Sequence, residues 1–360
     1  PAGPSRAGAA PVDVPLRPRT VWTPPPRRGL LPLRPIPFGA ILSAPFPLQR
    51  RAPRTTLGPA LLVSLVATTL ATVAAWAIVL GPQAALDAAY YDDHLVVQNL
   101  VGVAEGVAGW VPLVLALGAN ALLAGPVVVA ASRSLLAERV SFRGMLWRLR
   151  GRTARLVAWA LLVLATGALV LALAAVLPAL VAVSSPAGGI LSWLLGLFEL
   201  AALVFAGGYL AARLGFTAHA IALEGLRLPA AGRRSWTLTR RSGFRLFGEQ
   251  LLVWCVVGLA SVLLVLPVGW ALDLGAGLVF PNGGEDAQLE LYAAAREIVI
   301  TAVAAMTGAF GLVVQAATSA LLYLDQRMRV EGLDLALARY VDERQRGGAL
   351  PDPFPAGGAA

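Results

Sequence analysis

The chain has 360 residues, 58% of them hydrophobic and only 14% charged, with a net charge of +9. A soluble domain carries about 25% charged residues, so this composition excludes an ordinary water-soluble globule. All the basic charge comes from Arg, 29 residues with no Lys, and it clusters beside apolar runs, where anionic lipid headgroups are nearer than any nucleic acid.

Residues 1–37 are rich in Pro, Arg, Ala and Gly, with Pro24, Pro25 and Pro26 in a row. Such a segment builds no core and is expected to be a disordered cytoplasmic tail of polyproline II character. Six apolar runs follow, at about 58–80, 107–131, 154–183, 190–212, 251–272 and 298–324. Each is near the ~20 residues that cross ~30 Å of hydrocarbon. Lipid tolerates only helices or closed barrels, and these runs are too long and too evenly apolar for barrel strands. The predicted fold class is therefore all-α, a polytopic membrane protein with six transmembrane helices. The first run is expected to act as an uncleaved insertion signal.

The short turn Ser184-Ser185-Pro186-Ala187-Gly188 predicts an antiparallel pairing of the third and fourth spans. A weak repeat suggests three such hairpins. Before each odd-numbered span lies a segment mixing aromatic and basic residues: Phe38 to Arg51, Val140 to Arg148, and Arg233 to Phe247. Each reads as an interfacial amphipathic segment on the inner leaflet. After the sixth span, residues 325–346 are expected to continue as an amphipathic cytoplasmic helix. Its apolar stripe is Val330, Leu333, Leu337, Tyr340 and Val341. The Gly- and Pro-rich residues 347–360 are expected to be disordered.

Charge follows the same division. Segments 1–57, 132–155, 213–248 and 325–360 hold nine, seven, seven and five Arg. The segments between them hold Arg296 alone, together with acidic residues such as Asp87, Asp92, Asp93, Glu105, Asp273 and Glu290. Arg in short loops resists translocation, so both termini are expected in the cytoplasm of a bacterial inner membrane.

Few residues suggest chemistry. Glu199, near the middle of the fourth span, is a costly position for a carboxylate. Asn120 and Gln315 are at comparable depth and could hydrogen-bond to it, either to pin the bundle or to line a route through it. The acidic run at Asp92-Asp93-His94 lacks companions, because His219 is the only other histidine; it reads as a solvated loop, and no metal or cofactor is expected. Cys255, the single cysteine, allows no disulfide framework. Arg233, Arg234, Arg240 and Arg241 beside Trp236 suit phosphate headgroups, since guanidinium groups grip phosphate in pairs and Trp favours the interface. Glu224 is placed to pair with one of these arginines and hold the loop against the bundle.

Three stretches carry a family resemblance: Leu33-Arg34-Pro35-Ile36-Pro37-Phe38-Gly39-Ala40-Ile41-Leu42, then Ala222 to Arg240, and Leu322-Tyr323-Leu324-Asp325-Gln326-Arg327-Met328-Arg329-Val330-Glu331-Gly332-Leu333. Together they resemble the actinobacterial glycerophosphoryl diester phosphodiesterase membrane domain family. The resemblance implies a membrane module of the kind found fused to such enzymes. A phosphodiesterase barrel itself needs ~250 soluble residues, so no enzymatic activity is expected here. The leading expectation is a membrane scaffold or accessory protein that contacts anionic headgroups, and a protein partner, through its Arg- and Trp-rich face. The alternative is a carrier or channel for a lipid-related or amphiphilic solute, using Glu199 and Asn120.

Overall fold

The computed structural model describes residues 36–51, 53–88, 94–136, 138, 141–184, 188–281, 286–346, 348 and 351–354. The expectations for the N-terminal tail before Ile36, for Asp92 and Asp93, for Ser185–Ala187 and for most of the final segment lie outside these residues. Every regular element among the described residues is a helix. Two short ones, α1 (Phe38–Ser43) and α2 (Pro45–Arg51), lead into the long α3 (Pro53–Ala88). Then come α4 (His94–Leu135), α5 (Phe142–Leu149), α6 (Thr153–Ser184), α7 (Gly188–Leu214), α8 (Thr217–Glu224) and α9 (Leu228–Thr239). The chain ends with α10 (Gly243–Val279), α11 (Asp286–Glu331) and α12 (Leu333–Gln345).

Six of these helices are long and apolar enough to cross a membrane, which makes this a multi-pass membrane protein. They overrun the six apolar runs. Once a helix is nucleated, each added residue costs little, so polar flanks continue it past the hydrocarbon. Prolines inside α3, α4, α6 and α10 do not end them, because neighbouring helices and hydroxyl side chains re-satisfy the backbone. At the proline of α6, the Ser192 hydroxyl of α7 donates across to the Pro178 carbonyl at 2.9 Å.

Successive long helices pack in pairs, α3 on α4, α6 on α7 and α10 on α11, and α4 also packs on α6 and α11. The approach of α4 to α6 depends on missing side chains. A Cβ on Gly118 would lie 2.4 Å from Leu164, and one on Gly125 would lie 2.6 Å from Leu156. Small residues at a crossing let the backbones come together where no hydrophobic effect drives them.

Burial is uneven along the bundle. At the arginine-rich end the core runs from Ala119 in α4 to Leu136 just past its end, through Ala212 to Leu223, and from Ala309 to Met328 in α11. Toward the other end, large side chains such as Trp76, Leu173, Phe198, Leu263 and Leu278 are exposed, the condition of a helix meant for lipid.

Two details depart from the sequence expectation. Residues 217–224, read from the sequence only as part of the arginine-rich segment 213–248, form a helix of their own, α8, with residues 217–223 buried. Its residues Ala218, Ala220, Ile221, Ala222 and Leu223 leave no polar face to turn outward. The second departure is at Gly332, whose φ of +65° breaks the helix between α11 and α12. In α12, Leu333 and Leu337 are buried and Tyr340 and Val341 pack on the core, whereas Val330 is exposed.

Candidate functional site

The end of α8 starts a polar hub. Gly225 takes a φ of +72°, a left-handed conformation that closes the helix and costs other residues about 1–2 kcal/mol. The carbonyls freed there are met by two arginines of the α6 entry. Arg152 donates to Ala222 O, and Arg155 donates to Gly225 O at 2.6 Å and to Leu226 O at 3.0 Å. Cations at a helix C-terminus also complement its dipole.

The Glu224 side chain, next to this turn, is wholly inaccessible. It accepts from the Arg234 guanidinium at 3.0 Å and from the Tyr323 hydroxyl, and Arg327 lies 3.8 Å away. Glu331 closes the ring, 2.5 Å from Arg234 and 3.1 Å from Arg327. Burial works to lower the Arg234 pKa, but the carboxylates of Glu331 and Glu224 outweigh it and the net shift is upward. The cation is therefore locked in place. Beneath it, His219 stacks on Tyr323 with ring centroids 5.4 Å apart, and Phe216 meets both rings edge-on.

Asp325, one turn before Arg329 on α11, anchors the start of the described chain. It accepts from the Ile36 backbone N–H at 2.8 Å and from Arg329 at 2.7 Å, while Arg245 approaches to 3.4 Å. Ser242 donates to Gln326 at 3.0 Å. Near the other terminus, the Phe354 ring is 1% exposed, and Arg327 donates to its carbonyl at 2.7 Å. Arg133 lies over that ring and pairs with Asp352. The hub thus ties α8, α9, α10 and α11 to segments near both ends of the chain.

These bonds set several arginines of this end apart from their neighbours. Arg133, Arg152, Arg155, Arg213, Arg234, Arg245, Arg327 and Arg329 are engaged internally. Arg233, Arg240 and Arg241 are exposed, and none of them pairs with a carboxylate among the described residues. Trp236 stands beside them, 45% exposed, with the Arg213 guanidinium 4.1 Å from its ring centroid. Arg213 itself is fixed by donating to Thr239 O at 2.8 Å. Of the five residues read from the sequence as headgroup contacts, Arg234 is therefore committed elsewhere and the other four remain presented. Phe244 and Trp147 are also exposed.

The sequence pointed to Glu224 as a partner of this arginine group, and it pairs with Arg234. Asp325, Arg327 and Tyr323 went unread. The available signal was the spacing of Asp325 to Arg329 and Arg327 to Glu331, two opposite-charge pairs four residues apart on one helix.

The intramembrane candidates do not form one site. Glu199 is partly exposed on α7, with no hydrogen bond or ion pair among the described residues. Gln315 is buried within α11, and its Oε1, like Asn120 Nδ2 on α4, has no hydrogen-bond partner among the described residues.

A cleft lies elsewhere, between α3, α4, α10 and α11, with a volume of about 470 Å³. Ser64, Thr68 and Thr72 of α3 line it, as do Trp254 of α10 and Thr301 and Glu297 of α11. Neither Glu199, Asn120 nor Gln315 borders it. Among the described residues, no group of three or more His, Cys, Asp or Glu is placed to hold a metal ion. The chain matches no family model, no curated protein and no solved structure.

Proposed function

We propose that this protein is an integral membrane scaffold or accessory module of the bacterial inner membrane, without enzymatic activity. Its arginine-rich end faces the cytoplasm, grips anionic headgroups and offers the same surface to a protein partner. The observation that carries this reading is the division of the arginines. Eight are engaged internally, while Arg233, Arg240 and Arg241 are exposed beside Trp236 and pair with no carboxylate among the described residues. Guanidinium groups that are unpaired, exposed and flanked by an interfacial aromatic suit phosphate oxygens. The resemblance to the phosphodiesterase membrane domain family supports the same view of a membrane module rather than a catalyst.

The test is lipid selectivity. The protein is reconstituted in nanodiscs of phosphatidylcholine with increasing phosphatidylglycerol, and the lipids retained on release into mild detergent are weighed by native mass spectrometry. Retention of the anionic lipid is expected to exceed its share of the bilayer. Changing Arg233, Arg240 and Arg241 together to Gln should remove that excess, since each basic residue near the surface is worth about 1 kcal/mol. Arg234→Gln should instead lower thermal stability in either lipid, because it opens the hub. An unchanged preference in the triple variant overturns the headgroup reading.

A further inference from the structure

We infer that the cleft between α3, α4, α10 and α11 is a binding site for a single-chain amphiphile with an ammonium head. This goes beyond the headgroup reading and rests on a different part of the molecule.

The cleft has two unlike ends. At its closed end the Ser64 hydroxyl donates to Ala305 O at 2.8 Å, and Gly308 lies so close that a Cβ there would be 2.8 Å from that hydroxyl. The lining runs on to Gly311 and Leu312, where it meets the packed core of α11. At the other end is Glu297, the one ionisable side chain lining the cleft among the described residues. From Glu297 to Leu312 the α11 backbone rises by about 22 Å, long enough to accommodate a dodecyl chain. Hydroxyls mark the path at Ser64, Thr68 and Thr72, four residues apart and so on one face of α3. The remaining walls are mainly Ala, Gly, Val and Ile with the rings of Trp76 and Trp254.

Charge decides the head. Glu297 forms no ion pair among the described residues. Its neighbour Arg296 is committed to Asp273 at 2.6 Å and does not line the cleft. The rim is therefore negative. Glu297 stands at the outer edge of the sixth apolar run, 298–324, where the dielectric falls below that of water and an ion pair strengthens, and an ammonium head supplies the cation. The same charge repels phosphate heads, so the cleft selects against the lipids that the arginine-rich end attracts.

Size decides the rest. A volume of about 470 Å³ falls in the range of small-molecule pockets. It is too small to take in a partner helix, which is 10–12 Å across with its side chains.

The experiment uses the full chain in phosphatidylcholine nanodiscs and two dodecyl probes that carry a photoreactive diazirine, one with an ammonium head and one with a phosphate head. After irradiation, labelled peptides are mapped by mass spectrometry. The ammonium probe is expected to label Ser64–Trp76 and Trp254–Ser261 saturably, and unlabelled dodecylammonium should compete. Glu297→Gln keeps the shape and removes the charge, and it should weaken apparent affinity about fivefold, the scale of one partly screened ion pair. Gly258→Phe fills the cleft from a position where a Cβ meets nothing within 4 Å, and it should abolish saturable labelling. The phosphate probe should label without saturation. Equal labelling by both heads, label spread over all six long helices, or an unaltered affinity in Glu297→Gln overturns the proposal. Should Gly258→Phe fail to fold, the isosteric Glu297→Gln decides alone.

Discussion

Each partner of Glu224 is a donor: the Arg234 guanidinium, the Tyr323 hydroxyl and, slightly farther off, Arg327. Removing the carboxylate leaves Arg327, 6% exposed, facing Arg234 with Glu331 as the remaining counter-charge. Breaking a buried pair from one side costs about 3–5 kcal/mol, because the other charge stays behind. Glu224→Ala should lose stability on that scale in denaturant unfolding in lipid nanodiscs. Tyr323→Phe keeps the ring on His219 and deletes one bond to a charged acceptor, so it should cost about 1.5–3 kcal/mol. If both variants unfold like the parent, the hub is not a stabilising element. At this scale the sequence was partly readable. Glu224 beside a basic loop announced a pair, whereas the partners on α11 are about a hundred residues away and only the fold brings them in. Gln315, Asn120 and Glu199 show the converse: similar depth along three helices says nothing about which faces meet.

The six long helices were legible because length and apolarity are local properties, and lipid imposes the helix on any such run. Where one helix hands over to the next was harder to read. Residues 217–223 lie between Arg213 and Arg227, past the end of the fourth apolar run, and no helix of their own was read there. Their own side chains, all small or apolar apart from Thr217 and His219, decided otherwise, and α8 became the most buried short element. The contact of α4 with α6 carries its own prediction. Gly118→Leu or Gly125→Leu must displace Leu164 or Leu156, and overpacking of this kind costs about 1–3 kcal/mol. The measurement is the melting temperature of each variant in the same nanodisc. Gly106→Leu, where a Cβ meets nothing within 4 Å, is the matched control and should melt as the parent does. A drop common to all three variants would remove close α4–α6 packing as the cause.

Across the molecule, packing is dense at the arginine-rich end and sparse toward the other, and that gradient was invisible in a hydropathy profile that is nearly uniform over all six helices. Hydropathy reports what a segment can dissolve in, not whether lipid or protein surrounds it. Cys255 offers a reporter of the difference. It is exposed on α10, within an apolar run that the sequence places in hydrocarbon. Reaction with maleimide needs a thiolate and water. A water-soluble maleimide should therefore leave Cys255 unmodified in sealed vesicles and modify it fully in denaturing detergent. Rapid labelling in intact vesicles would place that face of α10 in water and displace it from the lipid belt.

Asp325 binds the Ile36 backbone across 289 positions of sequence, and this has a consequence for the order in which the molecule is made. Every long helix before α11 emerges from the ribosome while Tyr323, Asp325, Arg327 and Glu331 do not yet exist. Until then the Glu224 carboxylate and Arg234 have only each other, and Ile36 has no anchor. The hub is thus completed only by α11, the element that supplies Tyr323, Asp325, Arg327 and Glu331.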